Sequence, residues 1–179
     1  MKKTPIGNIH RFFLDEQKSA LIKTLFIPKL NTKAVMIGIH PRLFSAPEIA
    51  SAFSPEAPSL DFSSSKTLFV PKMLIEKMDK LGTQPVSSDE YSLNIRSMGG
   101  WIFQGDEMLH PQTSNDKNIQ IYALHGALIA LWKIREAAGY PRNALSGGIP
   151  DSFIESLYKA KDLEIVRAAI LRSGGTLSP

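Results

Sequence analysis

The chain has 179 residues, 43% hydrophobic and 21% charged, a balance that fits one domain able to bury a core and excludes an intrinsically disordered protein. It contains no cysteine, which excludes a disulfide framework, a cysteine-ligated zinc or iron–sulfur site and a thiol nucleophile. The net charge of +4 is unevenly spread: residues 1–45 carry eight Lys and Arg against Asp15 and Glu16, and residues 81–117 carry five acids against Arg96 and Lys117, so the expected surface is polarised and its basic side attracts polyanions.

Met1-Lys2-Lys3 resembles the start of an export signal. However, His10, Arg11, Asp15, Glu16 and Lys18 arrive before any apolar run long enough for one. The longest apolar stretch, Ile121 to Trp132, is shorter than the roughly 20 residues of a membrane span. A cytoplasmic protein with no membrane partner is expected. Residues 9–24 read as a helix, with Ile9, Phe12, Phe13, Ala20, Leu21 and Thr24 leaning to one side and Asp15 and Glu16 interrupting the stripe.

The octapeptide Lys23-Thr24-Leu25-Phe26-Ile27-Pro28-Lys29-Leu30 returns as Lys66-Thr67-Leu68-Phe69-Val70-Pro71-Lys72-Met73, with six identities. In extended backbone, alternation by two puts Lys23, Leu25, Ile27 and Lys29 on one face, and the second copy behaves alike. Each copy is then a short strand stopped by its proline, presenting an apolar centre between two cations. Between the copies, Ala34 to Ile39 is a continuous apolar run of central-strand length, stopped at His40-Pro41.

From Ser45 to Ser65 there are seven Ser, four Ala and three Pro and no base, the composition of a mobile loop. Pro47 and Glu48 can start a short helix through Phe53, ended by Pro55 and Pro58. Pro71 marks a switch from strand into a helix over Met73–Met78. Residues 91–104 predict a hairpin in which Tyr91, Leu93 and Ile95 alternate with Ser92, Asn94 and Arg96. A three-residue Met98-Gly99-Gly100 loop pairs Ile95 with Phe103. The rest reads as about three helices: Ile119–Ala138, stopped by Gly139 and Pro141; one opened by Pro150 after Gly147-Gly148; and Leu163–Arg172, capped by Asp162 and ended by Gly174-Gly175. The expected fold is α+β in a single domain, 1–179, with a mixed α/β portion over 1–117 holding a small sheet and a helical portion over 118–179.

Phosphate-loop, dinucleotide, HExxH and calcium-loop patterns are absent. His10, His40, His110 and His125 include no i,i+4 pair, so they form no local metal motif; His40 and His110 precede prolines and read as turn residues, His125 as a core or interface histidine. Ser63-Ser64-Ser65-Lys66 matches SxxK, but Lys66-Thr67 is followed by leucine where a KTG element needs glycine. The Glu16-Gln17-Lys18 spacing lacks the preceding acid of a nuclease site. No catalytic, cofactor or metal residue is assigned. A helix-turn-helix around Lys159–Lys161 is opposed by Glu155, Asp162 and Glu164, which phosphate would repel.

These residues point to a small basic non-catalytic accessory protein contacting nucleic acid. Lys23, Lys29, Lys66 and Lys72 would meet phosphates, and Asn94, Arg96 and Gln104, on one polar hairpin face, would meet base edges. The alternative is a protein–protein adaptor, complex subunit or homodimer using helix 119–138. A third reading is an enzyme whose site converges from His40, His110 and Asp106.

Overall fold

The described residues between 9 and 24 belong to two strands and the turn residues beside them, not to one helix. In a computed structural model, residues 6–14, 17–29, 31–124, 126–139, 149–172 and 177–178 are described. The readings placed on Lys2, Lys3, Asp15, Glu16, Leu30, His125, Pro141, Gly147-Gly148 and Gly174-Gly175 lie outside the described residues. Strand β1 (Asn8–Phe13) pairs antiparallel with β2 (Ser19–Phe26). The reason for the misreading is burial on both sides: every β2 residue but Phe26 is buried, so the strand shows no alternation and its apolar residues imitate a helical stripe.

The apolar run at 34–39 becomes the first part of β3 (Ala34–Phe44), continuing through His40-Pro41, where burial falls away. It is followed by α1 (Ala46–Ala52), β4 (Lys66–Pro71), α2 (Lys72–Glu76), β5 (Asp79–Thr83) and α3 (Ser88–Ser92). The five strands form an antiparallel sheet in the order β4-β3-β2-β1-β5. Helix α1 opens with the Ser45–Glu48 capping box and Pro47 in its first turn, and α2 begins directly after Pro71. The Ser/Pro/Ala segment is anchored more firmly than its composition implies: Ile49 and Phe62 are buried with Ile9, Leu21 and Phe44 on one face of the sheet.

The predicted hairpin starts later and turns more tightly. Tyr91 and Ser92 belong to α3, which the Ser87–Glu90 capping box nucleates. The hairpin is β6 (Ile95–Met98) and β7 (Trp101–Gln104), pairing Ile95 with Gln104 and Met98 with Trp101 around a two-residue loop. Gly99 and Gly100 both have positive φ, 58° and 82°, the backbone of the tight turn whose twist suits a hairpin. Arg96, Met98, Trp101 and Phe103 therefore share one face, and Gln104 lies on the other. An unanticipated strand β8 (Glu107–Pro111) completes a three-stranded sheet, β6-β7-β8.

Residues 119–124 are not helical. Bridges Ser97↔Ile121 and Phe69↔Leu124 lay this segment between β6 and the edge strand β4, joining the two sheets. Helix α4 (Ala127–Ala137) begins only at Gly126. It is followed by the two-residue strand β9 (Ile149–Pro150), α5 (Asp151–Leu157), α6 (Ala160–Arg172) and β10 (Leu177–Ser178), which pairs parallel with β9. The last long helix starts before the expected Asp162 cap. Arg167 on α6 joins α5 by donating to Asp151 at 2.9 Å and Glu155 at 2.7 Å.

The sheet separates two cores. On one face Val35, Ile37, Ile39, Leu68 and Val70 meet Leu74 and Ile75 of α2, Ala130, Leu131 and Ile134 of α4, Ile154 of α5 and Ile170 of α6. On the other face, α1 and Phe62 cover one end, while Leu25, Met36 and Phe69 pack with Phe26, Val86, Leu93 and Tyr122 at the end nearest the small sheet.

Candidate functional site

The repeated octapeptide builds the site. Its copies lie in β2 and β4, on either side of β3 and both antiparallel to it. They enter one residue out of step: Lys23 lies opposite Gly38, Lys66 opposite Ile39. The two lysines therefore point to opposite faces of the sheet. A bulge between Thr24 and Phe26 restores the register, so that Phe26 and Phe69 both lie opposite Met36, on the same face. The first copy leaves its strand at Phe26, while the second continues to Pro71.

The paired phenylalanines wall a cavity of about 180 Å³ between the two sheets, lined also by Pro28, Asn31, Arg96, Met98, Phe103, Gly105, Asp106 and Tyr122. Tyr122, delivered by the segment that joins the sheets, packs on Phe69 with ring centroids 4.4 Å apart. Gly105, at φ +62°, is a tight wall: a Cβ there would lie 2.7 Å from the Tyr91 hydroxyl. A cavity of this size holds about one aromatic ring.

Arg96 supplies its charge. The residue is only 5% exposed, yet no carboxylate lies within ion-pair distance of it among the described residues. Nη1 donates to the carbonyls of Leu93, at 3.0 Å, and Ile95. Nη2 reaches Thr67 Oγ1 and the Met36 sulfur, both at 2.8 Å, and the guanidinium carbon lies 5.2 Å from the centre of the Phe69 ring. Nε–H has no acceptor among the described residues. Burial pushes the guanidinium down to about 10, low for arginine but still cationic at neutral pH. The cleft thus combines aromatic walls with a cation held in place by neutral acceptors.

A shallower groove adjoins the cleft, sharing Phe26 and Asp106 and lined further by Lys29, Tyr91, Gln104 and Glu107. Asp106 accepts from the Lys29 backbone N–H at 3.1 Å. Met98, Trp101 and Tyr91 stand at this end of the molecule with 40%, 38% and 44% exposure.

Of the residues expected to meet nucleic acid, Lys29 and Gln104 share this groove and Arg96 lies in the cleft, on the hairpin face opposite Gln104. Asn94 is buried, its backbone carbonyl accepting from Gly105 N–H at 3.0 Å. Lys23 is the clearest departure. It is 1% exposed, and its Nζ donates to both Glu90 carboxylate oxygens at 2.8 Å and to the Pro85 carbonyl at 2.9 Å. It is a structural cation with no surface left for phosphate. Lys66 is exposed beside Lys133 and Glu136 in an open groove between β4 and α4, and Lys72 pairs with Glu76 at 3.5 Å.

His40, His110 and Asp106 do not meet. His40 packs edge-on against Phe44 and Phe62, His110 lies 4.0 Å from Asp116, and Asp106 holds Lys29. Sequence reasoning missed Phe26, Phe69, Phe103 and Tyr122. The available signal was the phenylalanine common to both repeat copies. Compared with family models, curated proteins and solved structures, this chain matches none. No helix among the described residues is long and apolar enough to cross a membrane.

Proposed function

We propose that this chain is a docking protein that holds a partner polypeptide by one aromatic anchor residue in the cleft between its sheets. The single observation that carries this reading is a ring-sized cavity walled by Phe26, Phe69 and Tyr122, with the buried Arg96 as its cation. Exposed Met98, Trp101 and Tyr91 nearby give the anchor's neighbours an apolar surface, and aromatic, Met and Arg side chains are the types enriched where protein partners bind. This relocates the adaptor surface from helix 119–138, because α4 turns Ala130, Leu131 and Ile134 into the chain's own core. The test is selection from a random-peptide display library, followed by binding to wild type and to Asn31→Trp, which places a bulky ring at the cleft wall. Selected peptides share an aromatic residue and bind the variant at least tenfold more weakly. Peptides without an aromatic, or indifferent to the variant, would overturn the reading.

Contact with nucleic acid is the second reading, supported by Lys66 and Lys133 in one open groove and by the exposed Lys29. Fluorescence anisotropy with a labelled single-stranded oligonucleotide at 50 and 200 mM salt tests it. Binding that weakens steeply with salt, and whose slope flattens in Lys29→Gln/Lys66→Gln/Lys133→Gln, places this reading first.

A further inference from the structure

Resting on the docking reading, we propose that the cleft selects an aromatic residue carrying its own carboxylate: the C-terminal Phe, Tyr or Trp of a partner chain. The argument begins with charge. A buried cation without a counter-ion costs free energy that an incoming anion recovers. Arg96 is such a cation, since its Nη groups are held by carbonyls, a hydroxyl and a sulfur, all neutral. Its Nε–H remains as a donor for an anionic oxygen, and charge-assisted hydrogen bonds of this kind are about twice as strong as neutral ones.

Size supplies the second step. A cavity of about 180 Å³ accepts the ring and little else, so an acidic side chain on the next residue of the partner would lie outside it. A carboxylate that reaches Arg96 together with the ring must belong to the same residue. In a polypeptide that carboxylate is the C-terminus. The exposed Met98, Trp101 and Tyr91 then favour a polypeptide over a free aromatic acid, because they offer apolar contacts to residues preceding the anchor.

The experiment uses wild-type protein, because Arg96 also supports its own hairpin and substitutions there would confuse folding with binding. Titrations followed by ¹H–¹⁵N spectra compare N-acetylphenylalanine, its C-terminal amide, N-acetylleucine, phenylacetate, and a heptapeptide ending in phenylalanine with and without a C-terminal amide. The expected order places the acid-ended heptapeptide first, at least tenfold tighter than its amide. N-acetylphenylalanine follows with shifts at Gly105 and the Trp101 indole, and N-acetylleucine is weaker. Asn31→Trp abolishes these shifts. Equal binding of acid and amide would remove the carboxylate from the proposal while leaving an aromatic docking cleft intact. Phenylacetate binding as tightly as the acid-ended heptapeptide would assign the site to a small aromatic acid and overturn the polypeptide occupant. No shift with any ring compound would overturn the inference and the docking reading together.

Discussion

Lys23 shows how far one side chain can be removed from the role its type implies. It stands where Lys66 stands in the other repeat copy, yet it is buried against Glu90, whose carboxylate also accepts from the backbone N–H of Ser87 at 2.8 Å and of Phe62 at 3.3 Å. The pair fastens β2 to α3 and the Phe62 segment. Lys23→Met leaves a buried carboxylate without its cation, and we expect it to cost about 3–5 kcal/mol in urea unfolding. The double variant Lys23→Met/Glu90→Gln removes the stranded charge and should lose less than the single one. Histidine gives the pH counterpart. Burial lowers the pKa values of His10 and His40 from the ordinary 6.5, outweighing the hydrogen bonds to Met78 and Arg42 that raise them. The fold therefore prefers neutral imidazole: this stability is complete above about pH 6.5 and is lost as pH falls through the lowered values. The urea midpoint should fall between pH 7.5 and 5, and His10→Leu should flatten that slope. The depressed carboxylates of Glu48, Asp61, Asp116 and Asp151 act below this window.

Among the elements, the hairpin turn gives a clean test of backbone control. A Cβ on Gly99 or Gly100 would meet nothing within 4 Å, so any cost of substitution comes from their positive φ alone. Alanine at both positions should destabilise by about 1–2 kcal/mol per residue, whereas Gly99→Asn should be nearly neutral, because asparagine tolerates the left-handed region. Thermal unfolding of the two variants checks this. The segment between β3 and β4 makes a second case. Glu48 lies inside α1 and holds the Ser45 cap at 2.7 Å, whereas Glu56 sits in the exposed stretch between α1 and the buried Phe62. Glutamyl endopeptidase should cut after Glu56 well before Glu48.

For the molecule as a whole, the five-stranded sheet is covered on both faces, by chain segments far apart in sequence. Ending the chain at Leu124 removes α4 to α6 and uncovers Val35, Ile37, Ile39, Leu68 and Val70. At roughly 1.5–3 kcal/mol for each buried side chain, that loss is on the order of 10 kcal/mol, comparable to the whole stability of an ordinary domain. The truncated chain should bind a hydrophobic dye and lose cooperative unfolding, as measured by fluorescence and circular dichroism.

Local signals carried through at several points, though not at His40-Pro41, where β3 continues past the expected stop. Pro71 ends a strand and opens α2, Pro47 and Glu48 lie in the first turn of α1, and Ala34–Ile39 is a strand because an unbroken apolar run suits a site buried on both sides. The α+β class, with helices concentrated toward the C-terminal part, was legible for the same reason. Registry and long-range pairing were not. Nothing local in Ser19–Phe26 announces that both its faces are buried, and nothing within the octapeptide announces the bulge that brings Phe26 and Phe69 to one side of Met36. Arg96 reads as a polar strand residue until a two-residue turn sets its face and β4 supplies Thr67 as its acceptor. The residue types available for a site were written in the chain. Their gathering into one cleft depended on strand order and a single extra residue in β2, which only packing across the sheet selects, because a shift of one residue exchanges the faces of every side chain beyond it.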